Sequence, residues 1–247
     1  MNNPIFFDSK NSLSLFGLDK NFEFISKLYS NQNLPRVIMF SGNKGSGKAT
    51  LINHFLYSIF DIENYDLENL NTSGNSIFLK QFQNNIFSNI IYISGADFKS
   101  MKIEDIRNLK KIILQSTISN KDRFIILDDI ELFNHNSLNA LLKTIEEPSK
   151  KNYFFLINNK SKPLLETIKS RALEIKLILS ESKRLKIIER LSKGSNTYNN
   201  CKKTLLNFPE VQHIIIDQNH FDKLVLNRKT SHYSFAVEIA RLIILNY

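Results

Sequence analysis

Val37-Ile38-Met39-Phe40-Ser41-Gly42-Asn43-Lys44-Gly45-Ser46-Gly47-Lys48-Ala49-Thr50-Leu51 is the stretch that decides the fold. Its apolar start, bounded by Pro35 and by Ser41-Gly42, has the length and flanks of a buried strand. Beyond it, Leu51, Ile52, Phe55, Leu56 and Ile59 recur at the helical period. Between strand and helix, Gly42-Asn43-Lys44-Gly45-Ser46-Gly47-Lys48 satisfies a phosphate-binding loop up to its last position. The glycines let successive N–H groups turn inward around a β-phosphate. Lys48 then reaches the β/γ oxygens, and the helix from Ala49 points its positive end at them.

The next position departs from the pattern. It calls for Ser or Thr, whose hydroxyl ligates Mg²⁺, and the residue is Ala49. Thr50 lies about 100° further round the helix, where it can cap or pack but does not simply substitute. The expectation is a site for nucleotide, ATP included, with weakly held magnesium and impaired transfer chemistry.

Working outward, apolar spacing predicts a helix over 20–30, a strand at 90–93, and a helix over 103–114 capped near Ser100. Residues 61–88 are polar, Asn-rich and without a clear period. A third strand, Phe124–Leu127, runs into Asp128-Asp129. A helix with Leu138, Leu141, Leu142 and Ile145 on one face then stops at Pro148. A strand at 153–157, a helix near 163–169 and a strand at 173–178 follow. This alternation implies an α/β fold, a mostly parallel sheet covered on both faces. A charged helical pattern begins after Leu179, so the boundary is expected there, with a core domain over 1–179 and a helical segment over 180–247.

A carboxylate ending a buried strand beside a phosphate loop is placed to hold Mg²⁺, which assigns Asp128 that role. Asp129 stands where hydrolysing enzymes of this type commonly use Glu to orient water. It is one methylene shorter, and misplacement by about 1 Å costs around 10²-fold. Asn139-Ala140-Leu141-Leu142-Lys143-Thr144-Ile145-Glu146-Glu147-Pro148 reads on its own as an amphipathic helix docked on the sheet. Arg171, at the end of Thr167-Ile168-Lys169-Ser170-Arg171, reads on its own as a solvated residue or a helix-dipole partner more often than as a group acting in trans.

The 247 residues are 42% hydrophobic with a net charge of +9. The charge suits a polyanion such as nucleic acid, but lysine is spread along a chain rich in Asn and Ile, as biased base composition would also produce. No uninterrupted apolar run of about 18 residues argues for a membrane span. No secretory signal is apparent. The single Cys201 forms neither an internal disulfide nor a cysteine-based zinc cluster, so a reducing cytoplasm and no zinc are expected.

The four elements together resemble the delta-prime family of bacterial DNA polymerase III clamp-loader AAA+ subunits, with the gamma/tau family second. Asn139–Pro148 is the most specific piece; Ser170-Arg171 matches the family's Ser-Arg-Cys motif with Ala172 in place of the cysteine. Leu34–Leu51 is similar to the delta-prime phosphate loop, and Lys102–Thr117 to the helix before the Walker B strand. The resemblance covers roughly residues 15–178. It implies a RecA-like AAA+ core, a small helical lid and a collar, the last truncated or reduced here. It also implies a hetero-oligomer with gamma/tau and delta subunits, the sliding clamp and primed DNA, in which Arg171 reaches a neighbour's ATP. On this reading the chain is more scaffold than motor. An active gamma/tau-like ATPase is the main rival, disfavoured by Ala49 and Asp129. A P-loop kinase of small metabolites leaves Asn139–Pro148 and Ser170-Arg171 unexplained.

Overall fold

A computed structural model describes residue 9 and residues 12–95, 103–114, 121–180 and 182, most of them in a compact unit spanning Leu13–Ile178. Five strands form a parallel sheet: β1 (Val37–Ser41), β4 (Ile90–Ser94), β5 (Arg123–Asp128), β6 (Asn152–Asn158) and β7 (Leu173–Lys176), in the order β4-β5-β6-β1-β7. A separate antiparallel pair joins β2 (Tyr65–Asp66) to β3 (Asn71–Thr72). The helices are α1 (Asp19–Ser30), α2 (Lys48–Phe60), α3 (Ile77–Gln83), α4 (Ile103–Leu114), α5 (His135–Glu146) and α6 (Glu166–Lys169).

The register explains why the apolar runs are continuous. Side chains alternate between sheet faces, and both faces of the central strands are buried. One face carries Val37, Met39, Ile125, Leu127, Phe154 and Leu156. Leu109 and Ile113 of α4, Leu138, Leu141 and Ile145 of α5, and Ile168 of α6 cover it. The opposite face carries Ile38, Phe40, Phe124, Ile126, Tyr153, Phe155 and Ile157. It is aromatic: Phe55 of α2 meets Phe124 and Phe155 at ring-centroid distances of 5.9 and 5.7 Å, and Tyr29 of α1 meets Phe55 at 5.6 Å. Helices therefore cover both faces, as the alternating pattern predicts.

The segment without a clear period is ordered by local polar devices and by rings. Asp66 Oδ1 accepts the Glu68 and Asn69 N–H groups at 2.9 and 3.1 Å, closing the turn into β3. Ser76 Oγ accepts the Leu79 N–H at 2.8 Å and caps α3. Phe78 and Phe82 of α3 then pack their ring edges on Tyr57 of α2.

Two boundaries differ from expectation. The helix near 163–169 begins only at Glu166, since Leu165 is still extended with ψ of 133°. The last strand ends at Lys176, although Leu177 still donates its N–H to Ser41 O at 2.8 Å. The expected cap at Ser100 and the helical segment after 182 lie outside the described residues.

Candidate functional site

The phosphate loop leaves β1 pinned on both sides. Gly42 N–H donates to Asn158 O of β6 at 3.2 Å, while Leu177 N–H holds Ser41 O from the β7 side. A Cβ on Gly42 would stand 2.5 Å from Leu177 O, so only glycine permits this approach. Gly45 and Gly47 take φ of +76° and +82°, and Gly47 directly precedes α2; such left-handed backbone costs glycine nothing and turns N–H groups into an anion-binding concavity. Asn43, Lys44 and Gly45 are exposed, Ser46 is buried, and Ala49 and Thr50 are half-buried on the first turn of α2.

Lys48 turns inward. It is 3% exposed, and its ammonium donates to Gly42 O at 2.9 Å, Asn43 O at 2.8 Å and Ser46 Oγ at 3.3 Å. Burial pulls its pKa down to about 8, against the attraction of Asp128, Glu131 and Asp129. A cation held by the loop's own carbonyls, with backbone dipoles converging beside it, is an arrangement that phosphate oxygens can take over. The residues present fit a nucleotide's phosphates.

They do not fit magnesium. Asp128 ends β5 on the aromatic face, the side from which α2 approaches. Its Oδ2 accepts the Tyr92 hydroxyl of β4, and its Oδ1 accepts the Asp129 N–H at 2.8 Å. Burial holds the Asp128 carboxyl above the usual carboxylate range; the Tyr92 hydrogen bond and Lys48 oppose that shift, and Asp129 adds to it. Asp129 has left-handed backbone, φ +51°, and its Oδ1 accepts Asn159 Nδ2 at 2.5 Å. Glu131, 6% exposed, accepts the Asn159 N–H at 3.1 Å, the Ser161 N–H at 3.2 Å and the Ser161 hydroxyl at 2.8 Å. Three carboxylates thus lie near Lys48, each already taken by protein donors, and Ala49 supplies no ligand atom. Asp128, expected as a weak magnesium partner, accepts a tyrosine hydroxyl and a backbone N–H here.

Arg171 lies apart from the loop, just beyond α6. Its Nε pairs with Glu146 Oε1 at 2.7 Å, and its Nη1 donates to Thr167 O at 2.6 Å and Ser170 Oγ at 3.2 Å. Glu146 is the last residue of α5, so the Asn139–Pro148 stretch and the Ser-Arg pair, separate in sequence, meet here. Ala172 follows and packs against the aliphatic core.

The family profile described as DNA polymerase III, delta subunit matches residues 17–180, which include the loop, Asp128 and Arg171. The chain belongs to the DNA polymerase III delta subunit family. Its five-stranded parallel sheet between helices is the α/β arrangement that the alternating pattern implies. This family member is 30% identical over 155 residues to the DNA polymerase III subunit gamma of Buchnera aphidicola subsp. Acyrthosiphon pisum, covering 61% of this chain and 41% of that protein. It is 35% identical over 82 residues to the subunit delta' of the same organism, covering 33% of this chain and 25% of that protein. The chain thus spans less than half the length of these curated relatives. Among solved structures, the gamma subunit-related protein of Thermotoga maritima is similar at 14% identity with a TM-score of 0.47, covering 86% of this chain and 64% of that one.

Four residues at the site of this delta-family chain were not singled out from its sequence: Tyr92, Glu131, Asn158 and Asn159. Asn158 Oδ1 accepts the Lys160 N–H at 2.8 Å while its carbonyl holds Gly42, so the end of β6 links the loop to the acids. The available signal was an Asn pair directly ending an apolar strand. In parallel sheets the carboxyl ends of strands are where ligands sit.

Proposed function

We propose that this chain is a clamp-loader subunit in DNA replication, a scaffold with weak or no ATP hydrolysis that offers Arg171 to a neighbour's nucleotide. Its partners in this reading are gamma/tau and delta subunits, the sliding clamp and primed DNA, assembled as a hetero-oligomer in the cytoplasm. Residues 180–247 would form the lid and a reduced collar beyond a core ending at 179. The observation that carries the scaffold reading is a phosphate loop intact through Lys48 beside acids that already serve protein donors, with Ala49 where a hydroxyl is needed. The loop amides and Lys48 hold the phosphates, and the acid in the place expected to orient an attacking water, Asp129, is tied to Asn159.

A steady-state assay of the isolated chain tests this. ATP turnover is expected to be negligible, and a rate of about 1 s⁻¹ or more, ordinary for an enzyme, would favour the gamma/tau-like motor. Such turnover must disappear in Lys48→Ala, or it belongs to a contaminant.

DNA contact in this reading is electrostatic. The charge of +9 comes without a base-reading motif, so affinity should fall steeply with salt and respond little to sequence. Titrations of two unrelated duplexes between about 0.05 and 0.2 M salt check this. Tight binding to one sequence alone at the higher salt would refute it.

A further inference from the structure

The acids around Lys48 and the phenol of Tyr92 specify the ligand more narrowly than the loop does. We infer that the loop takes a nucleoside diphosphate as the metal-free anion, Tyr92 standing on Asp128 where a magnesium shell would otherwise be. This rests on the reading of the loop as a nucleotide site, and it goes beyond weak hydrolysis to the identity of the bound species.

Two independent features remove the metal. Ala49 has no oxygen to offer. Tyr92 pairs with Ile126 across the β4–β5 ladder, and Ser94 pairs with Asp128. Residues two apart on a strand share a face, so Tyr92 and Asp128 lie diagonally on one face, and the phenol reaches the carboxylate and donates to it. The neighbouring acids do not stand in, since Asp129 and Glu131 serve Asn159 and Ser161.

The same acids act against a third phosphate. Lys48 is the cation that all three carboxylates attract. Two phosphates are answered by Lys48 and the loop amides. A γ-phosphate adds negative charge in a neighbourhood already under the field of Asp128, Asp129 and Glu131, and like charges repel strongly in a partly buried site. With no metal between them, the diphosphate is the better-matched anion.

Titration of the full chain with ADP and with ATP, each in magnesium and in EDTA, tests the inference. ADP affinity should agree within about 3-fold between the two conditions, and ATP should bind no tighter than ADP. Binding of either nucleotide strengthened more than about 10-fold by magnesium would overturn this inference while leaving the nucleotide site intact. Failure of the folded chain to bind either nucleotide would remove the site reading itself, and this inference with it. The double variant Ala49→Thr, Tyr92→Phe should acquire magnesium dependence of at least about 10-fold. A folded double variant that stays indifferent to magnesium would refute the role given to Tyr92. If it does not fold by circular dichroism, the smaller double variant Ala49→Ser, Tyr92→Phe is read against the same expectation of a gain.

Discussion

Arg171→Ala is expected to leave this chain folded and able to join its partners, while ATP hydrolysis in the assembled loader falls by about 10³-fold or more. A guanidinium is permanently charged, planar and able to grip two phosphate oxygens at once. Supplied across a subunit boundary to charge developing on a γ-phosphate, such a group is worth roughly 10³–10⁵-fold in known arginine-finger systems. Arg171 is suited to be presented that way, since it is exposed beyond the end of α6 and Glu146 holds its Nε at 2.7 Å.

The competing view makes the same contacts the whole role. An exposed ion pair contributes about 0.2–1 kcal/mol, and the Thr167 carbonyl bond makes Arg171 a cap on its own short helix. The two views part on the variant. If Arg171 is a cap, the alanine complex loses under about 1 kcal/mol of stability and hydrolyses ATP at the unmodified rate. That rate, measured on a complex of normal composition, would end the in-trans reading. Arg171→Lys refines the test, because lysine keeps the charge and loses the fork. It should assemble normally and recover only a small part of the activity.

What was legible in the sequence was what is local. Leu51, Phe55 and Ile59 disclose α2 because a helix repeats every few residues, and Lys48 is readable because the loop that positions it is contiguous. Asp128 could be assigned to a strand end for the same reason. Its condition could not. Whether its oxygens face a metal or a phenol depends on the β4–β5 register, which puts Tyr92 diagonally beside it. Asn159 reaches Asp129, and Glu131 reaches Ser161, only because β5 and β6 end side by side. The region around β2, β3 and α3 stayed unread for a related reason. Its backbone bonds are tertiary, Leu15 N–H to Leu70 O and Thr72 N–H to Leu13 O, both at 2.9 Å, and its short elements carry too few residues to show a period. Family membership rests on matched motifs; the state of the site rests on contacts between segments distant in the chain.

The sheet that aligns these strand ends depends on its aromatic face, and Phe124→Ala should expose that dependence. Phe124 is the second residue of β5, the strand that ends at Asp128, and is completely buried. Its ring stacks on Tyr153 at 5.2 Å, meets Phe155 at 5.4 Å, and lies 5.9 Å from Phe55 and Phe60 and 6.0 Å from Tyr29. Rings from α1, α2 and β6 therefore converge on one side chain. Truncating a buried Phe to Ala costs about 3–5 kcal/mol, through lost transfer energy and an unfilled cavity. Rigid rings on every side leave little room to collapse into the gap, so the upper part of that range is expected. Whole domains retain only about 5–15 kcal/mol, so the variant sits near the edge of folding. With urea slopes of about 1–3 kcal/mol/M, the midpoint followed by far-ultraviolet circular dichroism should drop by roughly 1–5 M. Phe24→Ala is the control. It makes the same chemical change on α1, where Phe24 is 50% exposed, and surface changes of this kind stay within about 0.5 kcal/mol. Equal shifts for the two variants would show that the aromatic face does not hold the sheet. If Phe124 is the hub, its variant alone loses stability, and at low temperature its remaining folded fraction should still bind nucleotide with unaltered affinity, because none of the loop's contacts involves that ring.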